Sequence, residues 1–81
     1  MKSKILFVED EVDLGNVVKQ YLQLMNFEVE LRTTAEEALN TFKQTPGYYD
    51  LLITDIQLPG MNGFQFAEEI KKADDTIPFL F

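Results

Sequence analysis

Three acidic residues of this chain lie where a carboxylate could bind a metal ion or act as a nucleophile. Glu9 and Asp10 directly follow an apolar run at residues 5–8, and Asp55 follows a second run at residues 51–53. Taken alone, Asp55 is equally well explained as a residue that caps a turn. If the two runs are neighbouring parallel strands, however, the three acids lie together at the carboxyl edge of the sheet, where open α/β folds bind ligands.

Carboxylates clustered in this way need a cation or raised pKa values. Two of them about 5 Å apart repel by roughly 3 kcal/mol at an effective dielectric constant near 20. Mg²⁺ takes one or two protein carboxylates, keeps several waters and bridges to phosphate oxygens. We therefore predict a Mg²⁺ site formed by Glu9, Asp10 and Asp55, to which a backbone carbonyl of the following loop, such as that of Gln57, adds a ligand.

The segments that must position these acids alternate between strand and helix patterns. Apolar runs or strict alternation predict strands at residues 5–8, 28–32, 48–54 and 77–81. Helical spacing of apolar residues predicts a first helix over residues 12–25. Strands that alternate with helices indicate an α/β fold, with right-handed crossovers and a parallel sheet.

Capping and turn signals mark the other two helices. Either Thr33 or Thr34 can begin a short second helix, because each has a glutamate three residues later. Asn62 is the expected N-cap of a third helix that begins near Gly63. Pro59-Gly60 fits a type II turn. Glu68 with Lys72, at i,i+4 spacing, marks the solvated face of the third helix.

The alternating connections favour a doubly wound parallel sheet of the flavodoxin-like class. If the crossovers reverse after the first strand and helix, the strand order is 2-1-3-4, and strands one and three lie side by side. A chain of 81 residues forms one domain at most. This topology is what would bring Asp55 next to Glu9 and Asp10.

Composition narrows the possible functions. The chain has no cysteine and no histidine, which excludes disulfides, Cys/His zinc sites and histidine-dependent nucleophilic catalysis. A net charge of −7 argues against direct binding of nucleic acid or an anionic membrane. The first apolar run is too short for a signal peptide or a membrane span, so a cytoplasmic location is expected.

Two other classes of phosphate chemistry fit the sequence less well. A dinucleotide-binding fold has a glycine-rich turn after its first strand, but here that turn is Glu9-Asp10-Glu11, which repels a phosphate that arrives without a cation. A phosphatase of the haloacid dehalogenase kind has a second aspartate two positions after the nucleophile. That position is Gln57, so this alternative is weak.

The chain resembles the receiver domain of two-component response regulators. The resemblance rests on two segments and the spacing between them, Lys4-Ile5-Leu6-Phe7-Val8-Glu9-Asp10-Glu11 and Leu51-Leu52-Ile53-Thr54-Asp55-Ile56-Gln57-Leu58-Pro59-Gly60-Met61-Asn62-Gly63. It implies a signalling module rather than an enzyme, with at most Mg²⁺-dependent self-phosphorylation and self-dephosphorylation. Asp55 would accept a phosphoryl group from the phosphohistidine of a histidine kinase or phosphotransfer protein. Asp10 would coordinate Mg²⁺ directly, Glu9 mainly through a water, and the Gln57 carbonyl would complete the protein ligands.

The resemblance also implies parts that these 81 residues do not contain. A receiver has a switch Ser/Thr just after strand four and a phosphate-binding Lys at the end of strand five. Residues 1–81 are thus expected to be the N-terminal two-thirds of one receiver domain, lacking the last helix-strand-helix part and impaired in phosphorylation and switching. The alternative is an interaction or oligomerisation module that makes no use of Asp55 and self-associates through exposed strand four or the open sheet face.

Overall fold

Strands and helices alternate along the whole of the computed structural model, which describes residues 2–81. In chain order the elements are β1 (Lys4–Val8), α1 (Val12–Leu24), β2 (Glu28–Arg32), α2 (Ala35–Gln44), β3 (Leu51–Thr54), α3 (Gly63–Ala73) and β4 (Phe79–Leu80). All strand pairs are parallel, and the strand order is β2-β1-β3-β4. The predicted flavodoxin-like fold and its strand order 2-1-3-4 are therefore confirmed.

β1 is one of the two inner strands, and apolar layers cover it on both faces. Leu6 and Val8 belong to a larger core that includes residues of α2 and α3. Ile5 and Phe7, which alternate with them, belong to a smaller core beneath α1. Because β1 is packed from both sides and paired along both edges, the position of its carboxyl end, where Glu9 and Asp10 follow, is well fixed.

The caps of α2 and α3 follow the predicted chemistry. The Thr34 hydroxyl accepts a hydrogen bond from the Glu37 N–H at 3.2 Å, which selects Thr34 over Thr33 as the N-cap. Asn62 and Gln65 form a reciprocal capping box at the start of α3, with bonds of 2.8 and 3.1 Å. The Asn62 cap is therefore confirmed, and α3 begins at a defined residue.

β3 and β4 are both shorter than predicted. β3 begins at Leu51 rather than at residue 48, because the Tyr48 N–H closes a turn onto the Thr45 carbonyl at 3.1 Å. β4 is limited to Phe79–Leu80 rather than residues 77–81. Pro78 has no N–H and joins the ladder only as an acceptor from Leu52, at 3.1 Å.

The prediction for the turn before α3 is wrong in detail, whereas that for the exposed face of α3 is confirmed. Gly60 has the expected positive φ of 81°, but the Met61 N–H bonds to the Pro59 carbonyl at 2.9 Å. That three-residue bond is the pattern of a γ-turn rather than a type II turn. Glu68 and Lys72 are both exposed, which confirms the predicted solvated face of α3, and Lys72 pairs there with Glu69 at 3.0 Å.

The two edges of the sheet differ in chemistry. The β2 edge carries the exposed acids Glu28 and Glu30, whereas β4 presents Leu80 at 56% exposure and is followed by Phe81 at 51%. On the α1 side of the sheet, Ile53 is only partly buried. Within residues 2–81, no helix has both the length and the apolar character that crossing a membrane requires.

Candidate metal centre and phosphoacceptor site

The three acids predicted from the sequence lie together in the structure. Val8 is paired with Thr54 in the ladder between β1 and β3, so both strands end at the same level. Glu9 and Asp10 follow β1, and Asp55 follows β3. One carboxylate oxygen from each acid lies within 4.8 Å of the other two. The parallel sheet thus forms an acidic cluster from residues far apart in the chain.

Glu9 is the buried member of this cluster. It is 8% exposed, whereas Asp10 and Asp55 are exposed. Its N–H donates to the Arg32 carbonyl at 3.0 Å, which continues the β1–β2 ladder by one residue. Burial raises the pKa of the Glu9 carboxyl, and the neighbouring Asp10 and Asp55 raise it further. A hydrogen bond of 3.2 Å from the Glu11 N–H has the opposite effect and lowers this pKa, but the net shift is upward.

The loop after β3 holds Asp55 through short local hydrogen bonds. The Gln57 N–H donates to Asp55 Oδ1 at 3.3 Å. The Thr54 hydroxyl, on a side chain that is 2% exposed, donates to the Asp55 backbone carbonyl at 3.1 Å. Sequence reasoning missed Thr54, although one polar residue that ends a buried apolar run is a visible signal. The predicted role of the Gln57 carbonyl as a metal ligand stays a prediction.

The donor set fits Mg²⁺ in both chemistry and spacing. All three side chains offer carboxylate oxygens, which hard divalent ions prefer. Ligands at about 2.1 Å around an octahedral ion are separated by roughly 3.0–4.2 Å. The observed limit of 4.8 Å is slightly wider, so a small closure or a water in place of one direct bond completes the fit.

No basic side chain in the described residues compensates this charge. The two salt bridges found within residues 2–81 are Arg32 with Glu30 and Lys72 with Glu69, each at 3.0 Å. Neither involves a member of the cluster. Within the described residues, the three acids therefore have no salt-bridge partner that offsets their mutual repulsion, and a bound cation would do so.

The raised pKa of Glu9 predicts a pH-dependent stability of the metal-free chain. Because the folded state binds the proton more tightly than the unfolded state, the stabilisation is complete below the ordinary value of 4.5. It is lost as pH rises from there through the raised pKa of the folded state. We expect the difference in unfolding free energy between the wild type and Glu9→Gln, measured by urea denaturation without Mg²⁺, to change across this window. A constant difference would contradict the pKa direction.

A parallel sheet of order 2-1-3-4 with a cluster of acids at its switch point places the chain among flavodoxin-like α/β domains. Within that class, the family model for the response regulator receiver domain matches residues 5–81. The chain belongs to the family of response regulator receiver domains. The resemblance drawn from its two sequence segments is therefore confirmed.

Relatives and solved structures agree with this family. Regulatory protein VanRB of Enterococcus faecalis is 38% identical over 76 residues, which are 94% of this chain and 34% of VanRB. The structure of the non-phosphorylated HemR receiver domain from Leptospira biflexa is 41% identical, with a TM-score of 0.91 over 99% of this chain and 63% of that one. The chain spans about a third of the length of curated relatives such as VanRB.

Response regulator protein TrrA from Thermotoga maritima is similar in two further solved structures. It is 38% identical, and this chain covers 66% of it. One structure is a complex with Mg(2+)-BeF, with a TM-score of 0.87 over 98% of this chain. The other is a complex with histidine kinase ThkA, with a TM-score of 0.86 over the same share.

Proposed function

We propose that this chain accepts a phosphoryl group on Asp55 in a Mg²⁺-dependent reaction and serves as the receiver part of a two-component signalling pathway. The observation that carries the proposal is the 4.8 Å spacing of the Glu9, Asp10 and Asp55 carboxylates at the sheet edge. We assign Asp55 as the nucleophile because it is exposed and is the first residue of the loop after β3. Glu9 is too buried to reach an incoming phosphoryl group.

The proposed step is an attack by an Asp55 carboxylate oxygen on phosphorus. An O–P bond forms while the N–P bond of a phosphohistidine breaks, and the histidine nitrogen keeps the bonding electron pair. The 3.3 Å bond from the Gln57 N–H engages Oδ1 and leaves the second oxygen, Oδ2, free to attack. The product is an acyl phosphate that water later hydrolyses.

Glu9, Asp10, Asp55 and the Gln57 carbonyl would hold Mg²⁺. Bound there, Mg²⁺ neutralises the charge that builds up between the nucleophile and the phosphoryl oxygens. Asp10 is exposed and suited to a direct bond, whereas the 3.2 Å bond from the Glu11 N–H fixes one oxygen of Glu9. Glu9 therefore acts best through a water molecule.

The donor is proposed to be a histidine kinase or a phosphotransfer protein. Support comes from TrrA, which is 38% identical to this chain and whose structure was solved in complex with histidine kinase ThkA. Transfer from a kinase also suits a chain without histidine, which cannot carry the phosphohistidine itself.

These 81 residues by themselves are proposed to react slowly and to transmit no switch. A cation beside the phosphoryl group lowers the barrier to transfer. The two salt bridges within the described residues place Arg32 and Lys72 against other acids. We also interpret residues 1–81 as the N-terminal two-thirds of one receiver domain, because they cover 63% of the HemR receiver domain structure.

The proposal is tested by incubating the chain with Mg²⁺ and a small phosphodonor and following its intact mass. We expect a slow, incomplete gain of one phosphoryl group that a chelator abolishes. A gain that is unaffected by the chelator contradicts the Mg²⁺ role, and the absence of any gain over prolonged incubation contradicts the phosphoacceptor role.

A second function, oligomerisation without phosphorylation, is favoured by the exposed apolar residues around β4. Phe64, Leu80 and Phe81 are each more than half exposed. The rings of Phe64 and Phe81 lie 5.2 Å apart, so they form one continuous apolar surface. A free strand edge next to such a surface is a common site of pairing between chains.

Self-association through β4 predicts a clear difference between two leucine variants. Leu80→Lys puts a charge on the β4 edge and should shift the chain toward monomer in light scattering at micromolar concentration. Leu24→Lys, at an α1 residue that is 86% exposed, should leave the association unchanged. A wild type that stays a folded monomer, or equal effects of the two variants, would contradict association through β4.

A further inference from the structure

The first residue of α3 sits directly on the backbone of the loop that carries Asp55. The Gly63 N–H donates to the Ile56 carbonyl at 2.7 Å. The Asn62–Gln65 capping box fixes the start of the helix, so this contact has a defined geometry. The position of the Asp55 loop is thus coupled to the position of α3.

Gly63 has no room for a side chain. A Cβ added there would lie 2.5 Å from the Asp55 carbonyl oxygen and 2.9 Å from the Ile56 Cα. Both are backbone atoms, so no side-chain rotation can relieve the contact. A Cβ at Gly15, in contrast, would press on the flexible end of the Leu31 side chain, at 3.0 Å, and would lie at an ordinary contact distance of 3.5 Å from the Glu9 Cβ.

We propose that Gly63 is a positioning residue for Asp55: its missing side chain lets the helix hold the Asp55 backbone at the distance where the carboxylate joins the acidic cluster. This inference rests on the proposed function. Adding a methyl group would have to move the carbonyl from 2.5 Å to an ordinary contact beyond 3.4 Å. Glu9 and Asp10 would stay in place, because they follow the firmly packed β1.

A shift of this size matters for a metal site. Where several groups must converge on one atom, a displacement of about 1 Å is enough to weaken their combined effect by a large factor. Residues that orient metal ligands without binding the metal typically change its affinity by about 10- to 100-fold. The Asp55 backbone carbonyl that lies against Gly63 also accepts a hydrogen bond from the Thr54 hydroxyl. Both contacts therefore help to fix the position of Asp55.

The test compares Gly63→Ala with Gly47→Ala. Gly47 has a φ of +76° and nothing within 4 Å of an added Cβ, so its alanine variant loses stability through backbone strain alone. Mg²⁺ is titrated into each variant at a temperature where both are folded. We expect about 10- to 100-fold weaker binding for Gly63→Ala and essentially wild-type binding for Gly47→Ala. Without metal, the backbone amide resonances of Asp55 and Gln57 should shift only in Gly63→Ala.

The outcomes separate this inference from the proposed function. Wild type that fails to bind Mg²⁺ contradicts the proposed function, and the metal-free amide shifts then decide the role of Gly63 by themselves. Equal Mg²⁺ affinity of wild type and Gly63→Ala, or unchanged amide shifts, overturns the positioning role.

If Gly63→Ala does not fold, the cap of α3 replaces it as the target. Asn62→Ala loosens the start of α3 without adding an atom, and Thr34→Ala removes the equivalent cap of α2. Mg²⁺ binding should weaken more in Asn62→Ala, and an equal effect of the two changes overturns the proposal.

Discussion

Asp55→Asn is expected to abolish Mg²⁺-dependent gain of a phosphoryl group. An amide oxygen is a poor nucleophile, and loss of the attacking group typically costs at least about 10³-fold in rate. The substitution keeps the size of the side chain and an oxygen able to accept the Gln57 N–H bond of 3.3 Å. The fold should therefore survive, and intact mass measured over the time course of the wild type should show no addition.

Asp75→Asn is the matched control for this result. Asp75 lies in the exposed segment after α3 and is not part of the acidic cluster. The Asp75→Asn variant should therefore gain the phosphoryl group at the wild-type rate. If Asp55→Asn reacts at the wild-type rate, another residue is the acceptor, and peptide mapping of the modified chain would locate it.

Asp10→Asn should change metal affinity and metal-free stability in opposite directions. Removing one of three charges within 4.8 Å relieves repulsion, so the metal-free chain should gain about 1 kcal/mol in unfolding free energy, after allowance for solvent screening at this exposed residue. Mg²⁺ loses a direct ligand, and its affinity should fall by about 100-fold. Urea denaturation with and without Mg²⁺ measures both effects on one sample.

An increase in metal-free stability together with a decrease in Mg²⁺ affinity distinguishes the loss of a repulsive metal ligand from general damage to the fold. A mutation that merely damages the fold would lower stability under both conditions. Asp75→Asn should leave the metal-free stability and the Mg²⁺ effect unchanged. Loss of stability in metal-free Asp10→Asn, or stabilisation by Mg²⁺ equal to that of the wild type, would contradict a repulsive cluster relieved by the cation.

The predictable part of the fold was set by strong, local signals. Continuous apolar runs such as residues 5–8 mark strands covered on both faces, and Asn62 with Gln65 marks a helix start. The lengths of β3 and β4 depended on which backbone groups find partners elsewhere. Tyr48 closes a turn and Pro78 cannot donate, and neither effect is decided by strand propensity.

Convergence of the acids could be predicted because it follows from topology. Once β1 and β3 are neighbours, residues that follow them must meet at the same edge, whatever their separation in sequence. The supporting contacts could not be predicted. The close approach of Gly63 to the Asp55 carbonyl depends on how α3 packs on the loop, which no residue pattern specifies.

The most direct test of the central claim is a titration of the chain with Mn²⁺, a paramagnetic substitute for Mg²⁺, followed by amide NMR. Exposed acids elsewhere, including Glu36, Glu37 and Asp75, provide an internal comparison within the same spectrum. If Glu9, Asp10 and Asp55 form one cation site, their amides and that of Gln57 should broaden first, and excess Mg²⁺ should restore them. Broadening spread evenly over the exposed acids, with no preference for this edge of the sheet, would contradict the claim.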